Sequence, residues 1–280
     1  MKFGINTFLF TSPFNNDSIS LFPQFKKWGF DSVEIALEDT SHINPVLIRE
    51  ALDKNGLTCG SICAAMGPGR DLRGTKEEQN TAAQYIKGVI DVMPILGCPI
   101  LVGPLYSSVG RAEPVSEEDY KKQWDAVVAN LKELAAYAGQ KGVKLAIEPL
   151  NRYETDFINT AAQALQMIKD VNSKELLLHL DSFHMNIEEK DSAKTILSAG
   201  DKLGHFHACG SDRGTPGGDH TDWNKISAAL KQVGYDGQVV IESFTTDVKV
   251  IAKAASIWRK LEPSQEDIAI KGLQFLKQTL

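Results

Sequence analysis

Six times along this chain a glycine closes one kind of segment and an apolar, β-rich run opens just after it. Trp28-Gly29-Phe30 runs into SVEIAL, Asn55-Gly56 into LTCGSICA and Leu96-Gly97 into CPILVGPL. Lys141-Gly142 leads into VKLAIEPL, Ala199-Gly200 into KLGHFHAC and Val233-Gly234 into QVVIESF. Glycine just past a helix end accepts the left-handed backbone that stops the helix, so each instance predicts a helix closing and a strand opening. The opening segment Lys2–Thr7 and the leucine-rich Leu176–Leu180 bring the strands to eight. The pieces between them are long enough for helices. Thr75–Leu96 and Ser116–Gln140 even begin on the capping patterns Thr75-x-x-Glu78 and Ser116-x-x-Asp119. Eight strands, each followed by a helix, with no linker or low-complexity segment, predict an α/β chain forming a single (β/α)8 barrel over residues 1–280. A doubly wound open sheet competes, but no Gly-x-Gly-x-x-Gly follows the first strand.

Charge and cysteine usage narrow the partners. A net charge of −6 and a pI near 5.6 leave no electrostatic footprint for nucleic acid or an anionic membrane. No apolar run approaches the length of a membrane span, and MKFGINTF lacks the apolar region and cleavage site of a signal peptide. The four cysteines, Cys59, Cys63, Cys98 and Cys209, form no Cys-x-x-Cys pair. They read as reduced thiols, and the expected compartment is the cytosol.

The chemistry gathers in the last four strands. Leu176–Leu180 needs both faces covered, and it runs straight into Asp181, with His184 three residues on in the connecting loop. KLAIEPL ends with Glu148 and continues into Asn151-Arg152-Tyr153-Glu154. LGHFHAC carries His205, His207 and Cys209 at alternating positions that share a face, and QVVIESF carries Glu242. In a barrel of this kind reactive groups sit at the carboxyl ends of strands, where the loops converge on one mouth. Charges embedded in apolar strands are costly unless paired or bound to metal. Two Glu, one Asp and one His at one mouth would make a hard-to-borderline divalent site for Mn²⁺, Mg²⁺ or Co²⁺. The competing reading is plainer: Asp181 caps the next element, His184 is solvated, and the acids form ion pairs between strands and helices. Cys209 reads as packing, since a thiolate ligand favours zinc.

The stretches IEPLNRYE, LDSFHMNIEE, LGHFHACGSDRGTPGGDHTDW, VVIESF and SIWRKL resemble the ketose 3-epimerases. That group includes the D-tagatose, D-psicose and L-ribulose 3-epimerases, within the xylose-isomerase-like barrels. The resemblance covers the C-terminal half, with the N-terminal strands matching in kind. It implies the same barrel, and a divalent metal, Mn²⁺ before Co²⁺ or Mg²⁺, held by Glu148, Asp181, His207 and Glu242. It also implies that Glu154, His184 and Arg213 hold the sugar's oxygens near C1 to C3. The expected partners are a small-molecule ketose and further copies of the chain, as dimer or tetramer.

That assignment makes chemical sense. Inverting C3 of a ketose requires a base on each face and stabilisation of a cis-enediolate. Glu148 and Glu242, three strands apart, would face each other across much of the mouth. Two alternatives share the barrel, an aldose–ketose or hydroxypyruvate-type isomerase and an endonuclease-IV-like metal nuclease; a non-catalytic sugar binder is the third. A nuclease would want a basic mouth, and a binder has no use for opposed glutamates. Towards the distal end of the sugar, Val109 falls where similar ketohexose enzymes place an aromatic, and Phe8 and Phe10 are apolar. Phe8, Tyr106 and Phe244 read either as substrate-facing or as ordinary core aromatics.

Overall fold

Eight parallel strands close on themselves in the order of the chain in the computed structural model, which describes residues 1–280. They are β1 (Lys2–Asn6), β2 (Ser32–Leu37), β3 (Thr58–Ala64), β4 (Ile100–Gly103), β5 (Lys144–Ile147), β6 (Leu176–Asp181), β7 (Leu203–Ala208) and β8 (Gln238–Ile241). The barrel closes by pairing β1 with β8.

The helices between them are α1 (Phe22–Trp28), α2 (Pro45–Lys54), α3 (Lys76–Leu96), α4 (Glu117–Gln140) and α5 (Ala161–Val171). Two helices, α6 (Ser182–Glu188) and α7 (Ser192–Ala199), follow β6, and α8 (Trp223–Gln232) follows β7. Beyond β8 come α9 (Lys249–Ala254) and α10 (Gln265–Thr279). All six punctuating glycines have positive φ, between 53° at Gly200 and 99° at Gly29. Gly200 differs from the rest: its ψ of −130° lies outside the left-handed helical well, and a 3₁₀ turn intervenes before β7. Thr75 and Glu78 form a reciprocal capping box. Ser116 accepts from the Asp119 amide, but the shorter Asp119 side chain meets the Ser116 hydroxyl instead of reaching back to its backbone.

The main core, a cluster of 62 buried residues, lies largely between the outer face of the barrel and the helices. Each aliphatic or aromatic side chain fully buried there contributes roughly 1.5–3 kcal/mol against its exposed state. At the amino-terminal end there is no room for further side chains beside Ser32: a Cβ at Gly4 would meet Ser32 Oγ at 2.7 Å, and one at Gly60 would meet it at 2.8 Å. The interior is not aliphatic throughout. Register sets Asn6 beside Glu34 and Glu34 beside Ser61, while His179 pairs with His205 and Asp181 with His207. This polar layer, buried from solvent, underlies the carboxyl-terminal mouth.

Candidate active site

The ends of β5, β6 and β8, with β7 between, bring Glu148, Asp181, His207 and Glu242 together. One ligand atom from each lies within 4.8 Å of the others, and all four residues are buried. Glu148 and Glu242 thus converge, in place of the mouth-wide separation expected from strand positions alone. Each glutamate is the first residue beyond its strand, and its long side chain carries the carboxylate into the cluster.

Asp181 ends β6 and does two things at once. Its Oδ1 accepts from the Phe183 amide at 2.7 Å, capping α6, while Oδ2 pairs with Arg213 and lies 3.8 Å from His207 Nδ1. Capping and a place in the charged cluster are therefore compatible. Burial alone would raise its pKa, but the Arg213 guanidinium and His207 hold it well below the usual carboxylate range. Glu148 shifts the other way: burial lifts it well above that range, and Glu242 and Asp181 add to the effect.

His184 stands on the short helix α6 and not on a loop, and it is buried where the plainer reading had it solvated. Its Nδ1 accepts from the Asn151 backbone amide at 3.1 Å. Burial, then Arg213, keeps the ring below the ordinary imidazole pKa and neutral. Asn151 Nδ2 also donates to Glu154 Oε1 at 2.8 Å, which ties Glu154 to the same side of the mouth. Arg213 adopts a left-handed backbone, φ 67°, between Phe183 and Phe244, whose rings lie 4.6 and 4.9 Å from its Cζ. A non-glycine residue held in that region marks a site where the surroundings dictate the backbone.

A cavity of about 340 Å³ opens beside these groups, lined by Glu148, Glu154, His184, Arg213 and Glu242 at one end. Phe8, Met66, Val109, Leu150, Phe244 and Ile251 line the rest, with Ser12 and Glu38 as polar interruptions. Larger surface grooves occur elsewhere, including one between α4 and α5, but none holds this charge cluster. Phe8 and Phe244 therefore face the cavity. Tyr106 does not: it is a core aromatic, and its hydroxyl donates to the carbonyls of Glu148 and Ile158 at 2.8 and 3.1 Å. Phe10 also turns away, packing on Phe25 and Trp28 at 5.0 and 5.7 Å. Cys209 lies under the cluster, its thiol 3.5 Å from Asp181 Oδ1, and burial pushes that thiol far above its ordinary pKa.

Sequence reasoning missed the polar layer below. Glu34 on β2 is fully buried and accepts from Asn6, Ser61 and His207, yet it interrupts SVEIAL as plainly as Glu242 interrupts QVVIESF. The rule applied to the later strands finds it. Asn6 and His179 carry no comparable signal, since a lone polar residue in a strand is common.

The profile described as Xylose isomerase-like TIM barrel matches residues 22–279. A "Probable ketose 3-epimerase" of Synechocystis sp. is 36% identical over all of this chain and 96% of its own length. The chain belongs to the ketose 3-epimerase family. Another member, an L-ribulose 3-epimerase of Methylomonas sp., is 35% identical over 89% of this chain and 87% of its own. Among solved structures, a D-allulose 3-epimerase from Methylomonas sp. in complex with D-allulose superposes with a TM-score of 0.93 at 30% identity. The match covers 100% of this chain and 97% of that one. As a member of this epimerase family the protein is an isomerase, and none of its helices is long and apolar enough to cross a membrane.

Proposed function

We propose that the protein is a divalent-metal-dependent ketose 3-epimerase that inverts C3 of a free ketohexose or ketopentose. The observation that carries this reading is the convergence of four buried ligand residues on a sugar-sized cavity, with two of them, Glu148 and Glu242, lining it. Glu148 Oε1 and His207 Nδ1 are buried with no hydrogen-bond partner, a costly state for groups of this kind. Three carboxylates and one imidazole match the preferences of Mn²⁺, with Co²⁺ and Mg²⁺ as alternatives. A divalent ion held by Glu148, Asp181, His207 and Glu242 would supply electrophilic stabilisation of negative charge growing on the sugar's oxygens.

The chain's own groups do the rest. One glutamate removes the C3 proton next to the C2 carbonyl, giving a planar cis-enediolate, and the other returns a proton to the opposite face. His184 presents Nε2 to the cavity because Nδ1 is engaged by Asn151, so it can donate to a sugar oxygen. Arg213, braced by two rings, and Glu154, braced by Asn151, fix the hydroxyls near C1 to C3. The apolar end of the cavity leaves the far carbons to contact Val109, Phe8 and Phe244.

Incubating Mn²⁺-loaded protein with a panel of ketohexoses and ketopentoses tests the proposal. Products differing only at C3 support it; aldoses mark the aldose–ketose isomerase reading, and no turnover on any ketose sinks both. The four cysteines are buried free thiols, which supports the proposed cytosolic setting. Assembly as a dimer or tetramer belongs to the same proposal, and light scattering on the purified protein checks it.

A further inference from the structure

Pairing of β1 with β2 and of β2 with β3 lines up Asn6, Glu34 and Ser61 on the inside of the barrel, facing His205 and His207 on β7. Glu34 is fully buried, and donors surround it. Its Oε1 accepts from Asn6 Nδ2 at 2.8 Å and lies 2.7 Å from His207 Nε2. Its Oε2 accepts from Ser61 Oγ at 2.5 Å, and His205 Nε2 approaches it to 2.8 Å without full hydrogen-bond alignment. No basic side chain of Lys or Arg type takes part. With donors at both oxygens, the setting suits an ionised carboxylate satisfied by hydroxyl, amide and imidazole groups.

This arrangement reaches the cluster above in two ways. Glu34 accepts at His207 Nε2, so a neutral His207 carries its proton there and turns the Nδ1 lone pair outward. That Nδ1 lies 3.3 Å from Glu242 Oε2, 3.8 Å from Asp181 Oδ2 and 4.0 Å from Glu148 Oε1. Asn6 Nδ2 divides its protons between Glu34 and Glu242 Oε1, the latter at 3.1 Å. The amide cannot be turned over, because Asn6 Oδ1 accepts from the Phe8 amide at 2.8 Å. Glu242 is therefore anchored through Oε1, with Oε2 left toward the other ligands.

We propose that Glu34 is the positioning residue of this site: it fixes His207 as the Nε2–H tautomer with Nδ1 free to bind metal, and through Asn6 it orients Glu242. The inference rests on the metal-dependent reading above. Glu34 touches neither the cavity nor, on this geometry, the sugar. It acts through a ligand, as carboxylates behind metal-binding histidines do.

The test is Mn²⁺ titration of metal-free wild-type, E34Q and E34D proteins by calorimetry, together with the thermal unfolding of each. Glutamine keeps the volume and an acceptor but loses the charge. E34Q should remain folded yet bind Mn²⁺ about 10–100-fold more weakly, and E34D should recover part of the loss. The second measurement needs no variant: long-range ¹H–¹⁵N correlation on ¹⁵N-histidine wild-type protein loaded with Mg²⁺. It should show the His207 proton on Nε2 and none on Nδ1. Folded E34Q with wild-type Mn²⁺ affinity, or a proton on Nδ1, overturns the role of Glu34. If E34Q does not fold, the tautomer in the wild type decides. Wild-type protein that binds no Mn²⁺ overturns the metal reading itself, a result distinct from either.

Discussion

Arg213 Nη2 lies 3.1 Å from Glu242 Oε2, and Nη1 of the same guanidinium pairs with Asp181. Two of the four proposed metal ligands are thus neutralised by a side chain that the functional reading assigns to the sugar. The pairing is imperfect. Nη2 also sits 3.2 Å from His184 Nε2, but His184 Nδ1 already accepts from a backbone amide, so a neutral ring must carry its proton on Nε2. Two donors then face each other. Arg213 Nε, meanwhile, is buried with no partner. A guanidinium in this position compensates the buried carboxylates, and a divalent ion bound by Asp181 and Glu242 would compete with it for them.

Arg213→Gln separates those two roles. Removing the competing cation leaves the carboxylates without compensation, so Mn²⁺ should bind more tightly by roughly tenfold, equivalent to about 1.4 kcal/mol. The same variant should raise KM for the ketose, because a hydroxyl contact is lost. Calorimetry and steady-state kinetics on one preparation read both. Weaker metal binding in the variant would show that Arg213 supports the ligand set, contrary to this account.

A pH dependence follows from the metal-free site. His207 is held well above the ordinary imidazole value: burial opposes its charge, but Glu34 and Glu242 outweigh burial. Glu148 is raised too, in its case by burial itself. Metal takes both groups unprotonated, so binding releases protons. Affinity should therefore rise with pH and fall as pH drops through the raised values. The fall begins above the ordinary imidazole value of about 6.5, at roughly tenfold per pH unit for each proton released. Calorimetry in buffers of different ionisation enthalpy counts those protons. An affinity that stays flat between about pH 6 and pH 8 counts against the proposed ligands.

How much of this was legible in the sequence depends on the kind of signal. Helix ends and strand starts are local, so Gly29, Gly97 and their counterparts mark the eight-fold alternation without tertiary information. The charges at Glu148, Asp181, His207 and Glu242 stand out because each interrupts or ends an apolar run. Where they meet is not local. The convergence of Glu148 and Glu242, and the turn of chain that sends Phe10 to Trp28 while Phe8 reaches the cavity, depend on packing between distant elements. Tyr106 and Phe244 illustrate the same limit: both are aromatics in the chain, yet one is locked by two carbonyls and the other faces the cavity.

Asp181→Asn tests whether the residue belongs to the fold or to the site. The amide oxygen keeps the cap on Phe183, so α6 should remain formed. The lost charge faces Arg213 and His207, where its removal should weaken Mn²⁺ binding by about a hundredfold, near 2.8 kcal/mol. Circular dichroism with excess metal and a Mn²⁺ titration give the two answers. An unfolded or insoluble variant would assign Asp181 to a structural ion pair instead.

The two-base mechanism makes the sharpest demand. Glu148 and Glu242 both line the cavity, and each would serve one face of C3. Glu242→Gln keeps an oxygen for the metal but cannot accept a proton, so epimerisation should fall by roughly a thousandfold or more, about 4 kcal/mol. Glu148 could still remove and return the C3 proton from its own side. One epimer should then wash deuterium from D₂O into C3 without inverting, while the other should not. Glu148→Gln should show the same behaviour with the epimers exchanged. Metal content must be measured in both variants, since loss of the ion would silence exchange altogether. If both variants stay loaded and both exchange the same epimer, a single base serves both faces, and the roles assigned to Glu148 and Glu242 are wrong.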